Sequence, residues 1–422
     1  MGHLSTYLRQ FSRETFSSLH VRNYRLYYIG QIISTSGTFM QLVAQAWLVL
    51  KLTNSGTALG IASALQYLPI LFLGPYGGVI ADRFSKRKIL YLTQSISGVL
   101  ALVLGVLVAT GTVQVWMVYI LAFCLGIVTA FDNPARQTFL IELVGPDNLR
   151  NAVTLYSTLV NVARIIGPAI AGAVIAAVGL APCFIVNGVS YVAVVIMLGM
   201  MHADEILSNA PVPPTKGQLQ DGFKYVLSTR VLGSTLLMMA IIGTLTFEFQ
   251  VSLPLIAQFT FKGDASSYAF LTGSMGFGAA IGGIFFASRK GISPNKLISA
   301  ALLFGVAILA AACMPSLLLS GLALVFVGLC SINFSSLGNS VLQLESSPQM
   351  RGRVMSFWSV AFLGSTTIGG PIVGWFAEAA GARWGLALGG LAALIAAALG
   401  AMTLPKIQNG QKVTTGDEHE RV

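Results

Sequence analysis

The chain has 422 residues, of which 25 are Lys or Arg and 15 are Asp or Glu, while 55% are apolar and the mean hydropathy is +0.76. Soluble domains carry about 25% charged residues, so a chain with 9% cannot cover a water-facing surface, and a soluble enzyme is excluded. Disorder is excluded too, because Phe, Leu, Ile, Val and Ala fill run after run of about 20 residues, the length that crosses a bilayer as a helix.

Met1 to Tyr24 is polar and holds Arg9, Arg13 and Arg22. The apolar run that follows is too long for a signal-peptide core, so we expect it to be the first span of an uncleaved chain. Cutting the sequence where charge, Pro or Gly interrupts the apolar runs predicts twelve spans. They are Arg25 to Leu50, Ala58 to Ala81, Ile89 to Ala109, Val113 to Pro134, Ala152 to Val178, Pro182 to Met201, Leu232 to Ala257, Tyr268 to Ser288, Leu297 to Pro315, Leu317 to Leu342, Val354 to Ala380 and Trp384 to Leu404. Cys124, Cys183, Cys313 and Cys330 fall inside or at the ends of these runs without CxxC spacing or a nearby His, and read as small apolar residues; no metal site is expected.

If the N-terminus is cytoplasmic, 21 of the 25 positive charges lie on that side of the twelve spans, and only Lys51, Lys262 and Arg383 lie outside. This positive-inside split predicts cytoplasmic N- and C-termini. It also accounts for the net charge of +10, so nucleic-acid binding is not needed to explain a basic chain.

The sequence repeats itself at an offset of about 200 residues. Arg150-Asn-Ala-Val153, Gly167-Pro168 and Gly179 recur as Arg351-Gly-Arg-Val354, Gly370-Pro371 and Gly381. The chain is therefore expected to hold an N-terminal six-helix bundle (1–201), a cytoplasmic linker (202–230), a C-terminal six-helix bundle (231–404) and a cytoplasmic tail (405–422). Within the linker, Asn209 to Thr215 reads as flexible. Gln218 to Arg230 reads as an interfacial helix with Leu219, Phe223, Val226 and Leu227 on one face. Two such repeats across a central cavity suit alternating access, with a substrate site near the midplane.

Gly78-x-x-x-Asp82-Arg83-x-Ser85-Lys86-Arg87-Lys88 resembles the signature loop of the major facilitator superfamily, and Arg164-Ile-Ile-Gly167-Pro168-x-x-x-Gly172 resembles the fifth-helix motif of its exporters. Asn23-Tyr-Arg25, Asp132-Asn-Pro-Ala-Arg136-Gln137, Asp221-Gly-Phe-Lys-Tyr225 and Arg351-Gly-Arg353 are similar to its bacterial drug-efflux and siderophore (enterobactin-type) exporter branch. Ser85 and Ala171 stand where the family patterns have Gly. The resemblance implies an all-α membrane protein of twelve helices in two bundles, and a latch in which Asp82 faces the start of the eleventh helix and pairs with Arg136 while the cavity is open outward. Arg83, Arg87, Arg351 and Arg353 belong to the same gating loops.

Charges inside a membrane are costly and are functional candidates by default. Arg164 falls near the midplane of the fifth span, with Ser157, Asn161 and Pro168 on its face, as a binding or coupling cation or as half of an ion pair. Glu248 falls past the midplane of the seventh. A carboxyl group removed from water is how a proton carrier is made, and no His lies in any span. Asp132 is a second candidate, with an ion pair to Arg136 one turn away as the plainer reading. In the first span Gln31, Ser34, Thr35, Thr38, Gln41 and Gln45 form a polar stripe, matched in the tenth by Asn333, Ser336, Ser340 and Gln343; both are expected to line a cavity or to join helices. Gly167-Pro168 and Gly370-Pro371 are expected to kink their helices, with close packing as the alternative.

No G-x-x-x-x-G-K-[ST] loop or catalytic constellation is present, so neither ATP nor any cofactor is expected to drive the protein. The sequence points to a monomeric, proton-coupled exporter of an amphipathic drug-like or siderophore-like molecule in a bacterial inner membrane, with the bilayer, the solute and protons as its partners. An importer or uniporter of the same fold stays open, and a non-transporting membrane receptor fits the polar stripes less well.

Overall fold

The computed structural model describes residues 16–207, 218–287, 293–347 and 350–404. The N-terminal Arg9 and Arg13, the Asn209 to Thr215 stretch with Lys216, Arg289 and Lys290, and the tail 405–422 lie outside the described residues. Every element found is helical. Among the described residues, eleven helices are long and apolar enough to cross a membrane, and one of them, Val115–Val178, is two spans joined at Gly145 (φ 72°, ψ 174°). The spans are α1 (Arg22–Thr53), α2 (Gly56–Arg83), α3 (Lys86–Ala109), α4 (115–144), α5 (146–178), α6 (Ala181–Gly199), α7 (Arg230–Thr260), α8 (Ala265–Ala287), α9 (Pro294–Cys313), α10 (Leu317–Glu345), α11 (Arg351–Ala380) and α12 (Ala382–Thr403).

Two spans differ from the sequence reading. The stretch after Pro134, read as a loop because of its charges, continues as helix through residue 144. Only at Gly145 does the chain turn, in a backbone conformation that favours glycine, with Pro146 suited to the first turn of the next helix because its missing N–H would have no partner there. Asp132 and Arg136 thus sit well inside α4. The seventh span is not continuous either: it breaks over Thr246–Glu248, resumes at Phe249 and ends in a wide turn, Ile256–Thr260. In α11 the irregular turn is Val360–Gly364, upstream of Gly370-Pro371, while Pro168 lies within the helical run of α5.

Lipid stands in for water around this bundle, so large apolar side chains such as Phe72, Ile284 and Trp375 are exposed. What holds helices together is close approach of small residues and shared hydrogen bonds. We call the side carrying the α2–α3 turn the basic end and the opposite side the far end. At the far end the halves meet backbone to backbone. A Cβ at Gly374 would stand 2.2 Å from the Gly56 carbonyl oxygen, and one at Gly60 2.3 Å from that of Gly370, so only glycine lets α2 and α11 cross here. Ser266 Oγ of α8 donates to the Gly172 carbonyl of α5 (3.2 Å), Gln258 Nε2 to Asn54 Oδ1 (2.6 Å), and Trp47 stacks on Tyr268.

At the basic end, Asp82 and Arg83 are exposed, and Asp82 has no hydrogen-bond or ion-pair partner among the described residues. The expected Asp82–Arg136 pair is absent, because Arg136 is engaged inside the N-terminal half. The described part of the linker helix, Gln218–Ser228, docks on the C-terminal half: Val226 is buried with Leu232, Leu236, Leu342 and Val354, Phe223 meets Phe357, and the Tyr225 hydroxyl accepts from Ser347 N–H (3.1 Å). Leu219's side chain lies outside the description.

Candidate functional site

Two groups of buried polar residues stand out. The first lies in the N-terminal half. Asp132 of α4 is 6% exposed. Its Oδ1 accepts from Thr93 Oγ1 (2.7 Å) and Gln94 Nε2 (2.8 Å) of α3, and its Oδ2 accepts from Arg136 Nε (2.9 Å) and Nη2 (2.5 Å). Arg136 Nη1 donates in turn to Gln31 Oε1 of α1. Both charges are compensated and both carboxylate oxygens are used. An arrangement so fully partnered ties α1, α3 and α4 together.

Three more residues of the α1 stripe are spent in the same way. Gln41 Oε1 accepts from Asn187 Nδ2 of α6 (2.7 Å), Thr38 Oγ1 meets the Tyr191 hydroxyl (3.3 Å) and donates to Ser34 O (2.9 Å), and Gln45 Nε2 donates to Gln66 Oε1 of α2 (3.1 Å). Gln31, Gln41 and Gln45 are buried, so three of the stripe's amides join helices of one half. Gly167 belongs to this packing, since a Cβ there would stand 2.5 Å from Phe39 Cβ.

The second lies where the halves meet. Glu248 is 2% exposed, lies at the break in α7, and has an Oε1 with no hydrogen-bond partner. No cation among the described residues pairs with it. Its carboxylate rests on α11, where Cβ atoms at Gly369 and Gly370 would stand 2.9 and 3.5 Å from its two oxygens, and Thr366 approaches it. Across the seam, Tyr67 of α2 lies beside Gln250 and within electrostatic reach of both Glu248 and Arg164.

Arg164 itself is half-buried. Its guanidinium stands 5.8 Å over the Phe39 ring, and it makes no ion pair among the described residues. Its chain and that of Asn161 pack against Gly276 and Gly283 of α8. Beside Gln250, a small partly open pocket of about 20 Å³, lined by Gln45, Ser63 and Gln66 among others, has the size and polarity for one water molecule. A cation and an acid without a cation partner among the described residues thus lie near the seam between the halves, with Tyr67 within reach of both.

The gating candidates are spread over helix ends. Arg87 donates to the Leu198 and Gly199 carbonyls at the end of α6 (2.9 and 3.2 Å), Arg351 Nε to Gln343 O at the end of α10 (2.9 Å), and Arg353 Nη1 to Met350 Sδ (3.4 Å). Asn333 is half-buried in α10, and Pro371 follows the Gly370 contact on α11. Sequence reasoning missed Tyr67, Gln66 and Gln250, which carry no charge, and the Lys86–Glu142 pair (2.8 Å, both buried), whose acid fell in the supposed loop. It also missed Glu378, an acid within the predicted eleventh span.

The fold and the buried polar groups at the seam fit a membrane transporter rather than an enzyme. The transmembrane secretion effector family matches residues 13–420, and the chain belongs to it, within the major facilitator transporters. It is 26% identical to the staphyloferrin A transporter of Staphylococcus aureus over 325 residues (76% of this chain, 81% of that one). The enterobactin exporter EntS of Escherichia coli is 25% identical over 359 residues (83% and 84%). Macrolide efflux protein A of Streptococcus pyogenes is 24% identical over 397 residues (91% and 96%). Among solved structures, a bacterial homolog of the human lysosomal transporter Spinster, inward-facing and unoccupied, superposes with a TM-score of 0.73 at 15% identity, covering 90% of this chain and 97% of that one.

Proposed function

We propose that the protein is a proton-coupled exporter that moves an amphipathic drug-like or siderophore-like molecule by alternating access. It works as a monomer in a bacterial inner membrane, with the basic end and both termini in the cytoplasm and the proton gradient as its energy source. The observation that carries this reading is Glu248: a carboxyl group at a helix break, between the halves, without a cation and with one oxygen free. Such a group can take up a proton from one side and release it to the other as the seam opens and closes. Asp132, whose oxygens are all used, suits a fixed ion pair better. Arg164, a cation without an ion pair at the α5–α8 seam, suits a carboxylate or catecholate on the solute. A staphyloferrin A transporter, an enterobactin exporter and a macrolide efflux protein among the relatives support a solute of this kind.

The test is efflux from proteoliposomes with an imposed pH gradient. Wild-type protein is expected to follow the gradient. Glu248→Gln should abolish gradient-driven efflux while keeping solute exchange at equal pH, because the solute site remains and only the titrating group is lost. Efflux that ignores the gradient, or a Glu248→Gln variant that still follows it, overturns the proton mechanism.

A further inference from the structure

Glu378 stands in the last turn of α11 and reaches across to the other half. Its Oε2 accepts three hydrogen bonds from the start of α2: Ser55 Oγ (2.8 Å), Thr57 N–H (2.9 Å) and Thr57 Oγ1 (2.8 Å). Ser55 is also the N-cap of α2, accepting from Ala58 N–H (3.2 Å). The Thr57 N–H is one of the first-turn amides that no intrahelical carbonyl can satisfy. A negative charge at this point also opposes the positive end of the helix dipole. One residue of the C-terminal half thus completes the cap of a helix in the N-terminal half.

Its place in the fold gives this contact a role. The two helices cross antiparallel, through Gly56 against Gly374 and Gly60 against Gly370. Each carries an acid near its own C-terminal end: Asp82 on α2 at the basic end, Glu378 on α11 at the far end. Each acid is therefore placed to face the other helix's N-terminus, at opposite ends of one crossing. Here Glu378 is engaged, whereas Asp82 is exposed and has no partner among the described residues. We infer that Glu378 is the far-end clasp of the transporter, holding α2 against α11 while the basic end is open, and that it works as the counterpart of the Asp82 latch so that one is made as the other is broken.

With only one acid per end, the crossing behaves as a rocker with two catches. When the far end parts, the Thr57 amide and both hydroxyls pass to water, and the contact is lost as a unit because all three bonds converge on a single oxygen. The exposure of the site limits how much it can hold. That suits a catch that must release in every cycle.

The inference rests on the alternating-access reading, and a conformational readout separates the two. In the full chain, with the native cysteines replaced, spin labels at Lys51→Cys and Lys262→Cys report the far end, and labels at Lys88→Cys and Asn295→Cys report the basic end. Distance distributions are read by pulsed dipolar spectroscopy in lipid nanodiscs. Glu378→Ala is expected to raise the far-end wide population relative to the narrow one about tenfold, the scale of one partly exposed charge-assisted contact, with a matching narrowing at the basic end. Thr57→Val, which removes one donor from the opposite side and keeps the amide, should give a smaller shift in the same direction. Asp82→Asn should move both distances the other way. Glu378→Ala and Thr57→Val distributions identical to wild type, with Asp82→Asn still shifting, overturn the clasp and leave alternating access standing; no shift in any variant overturns both.

Discussion

Replacing Asp132 by Asn would remove the only carboxylate that compensates Arg136 in the described structure. The Asn oxygen can still accept from Thr93 or Gln94, but its amide group presents hydrogens to a guanidinium that has only donors. Arg136 would then keep one bond, to Gln31, and a buried charge without a counter-ion. Breaking a buried pair from one side costs about 3–5 kcal/mol. At about 2.1 cal/mol/K of unfolding entropy per residue, a chain of this length would lose about 3–6 °C in Tm. The double variant Asp132→Asn/Arg136→Gln removes both charges and should regain more than half of that loss. The assay is the monodisperse fraction remaining after heating in detergent, with the coupling taken from the four-member cycle. If Asp132→Asn melts with wild type, or if the two single losses simply add in the double variant, the α4 pair is not a structural tie.

Two further outcomes are expected. Gly60→Val places a side chain where a Cβ alone would stand 2.3 Å from the Gly370 carbonyl oxygen, so the far end should no longer close; a cysteine at Ser63, buried here, should then label with a water-soluble maleimide about tenfold faster. Asp264, in the turn before α8, is held below the usual carboxylate range first by the backbone N–H of Ser267, with Oδ1 accepting that N–H (3.0 Å) and the Ser267 hydroxyl (3.1 Å). Asp264→Ala should cost about 1 kcal/mol at neutral pH, as a lost cap does. Because the folded-state pKa is lowered, the contribution is present above the ordinary Asp value and fades as pH falls through the folded one. The variant and wild type should therefore converge in stability toward acid pH, and a gap that widens there would refute the assignment.

The fold was largely legible because a membrane allows few solutions: apolar runs of the right length, alternating with basic turns, leave little freedom. The sequence misplaced what depends on partners far along the chain. Charges at Glu142 and Asp147 made 135–151 look like a loop, but Lys86 neutralises Glu142 from α3, and the helix runs on. Asp132 and Arg136 were recognisable as neighbours from their spacing of four, whereas Thr93 and Gln94, which hold the other oxygen, are about 40 residues away and uncharged. Glu248 was identified as a candidate from its depth, yet the break in α7 beneath it carries no Gly or Pro to announce it. Glu378 escaped because its three partners lie in the opposite half.

The glycine crossing of α2 and α11 has a kinetic consequence. Where helices interlock through long side chains, separating them requires rotamers to reorder, and each rearrangement adds to the activation barrier. Gly56, Gly60, Gly370 and Gly374 have none to reorder. The passage between conformations at this crossing is therefore set by a few polar contacts that can be strengthened or weakened one at a time, so single substitutions at its two ends should tune turnover rate without redesigning the bundle.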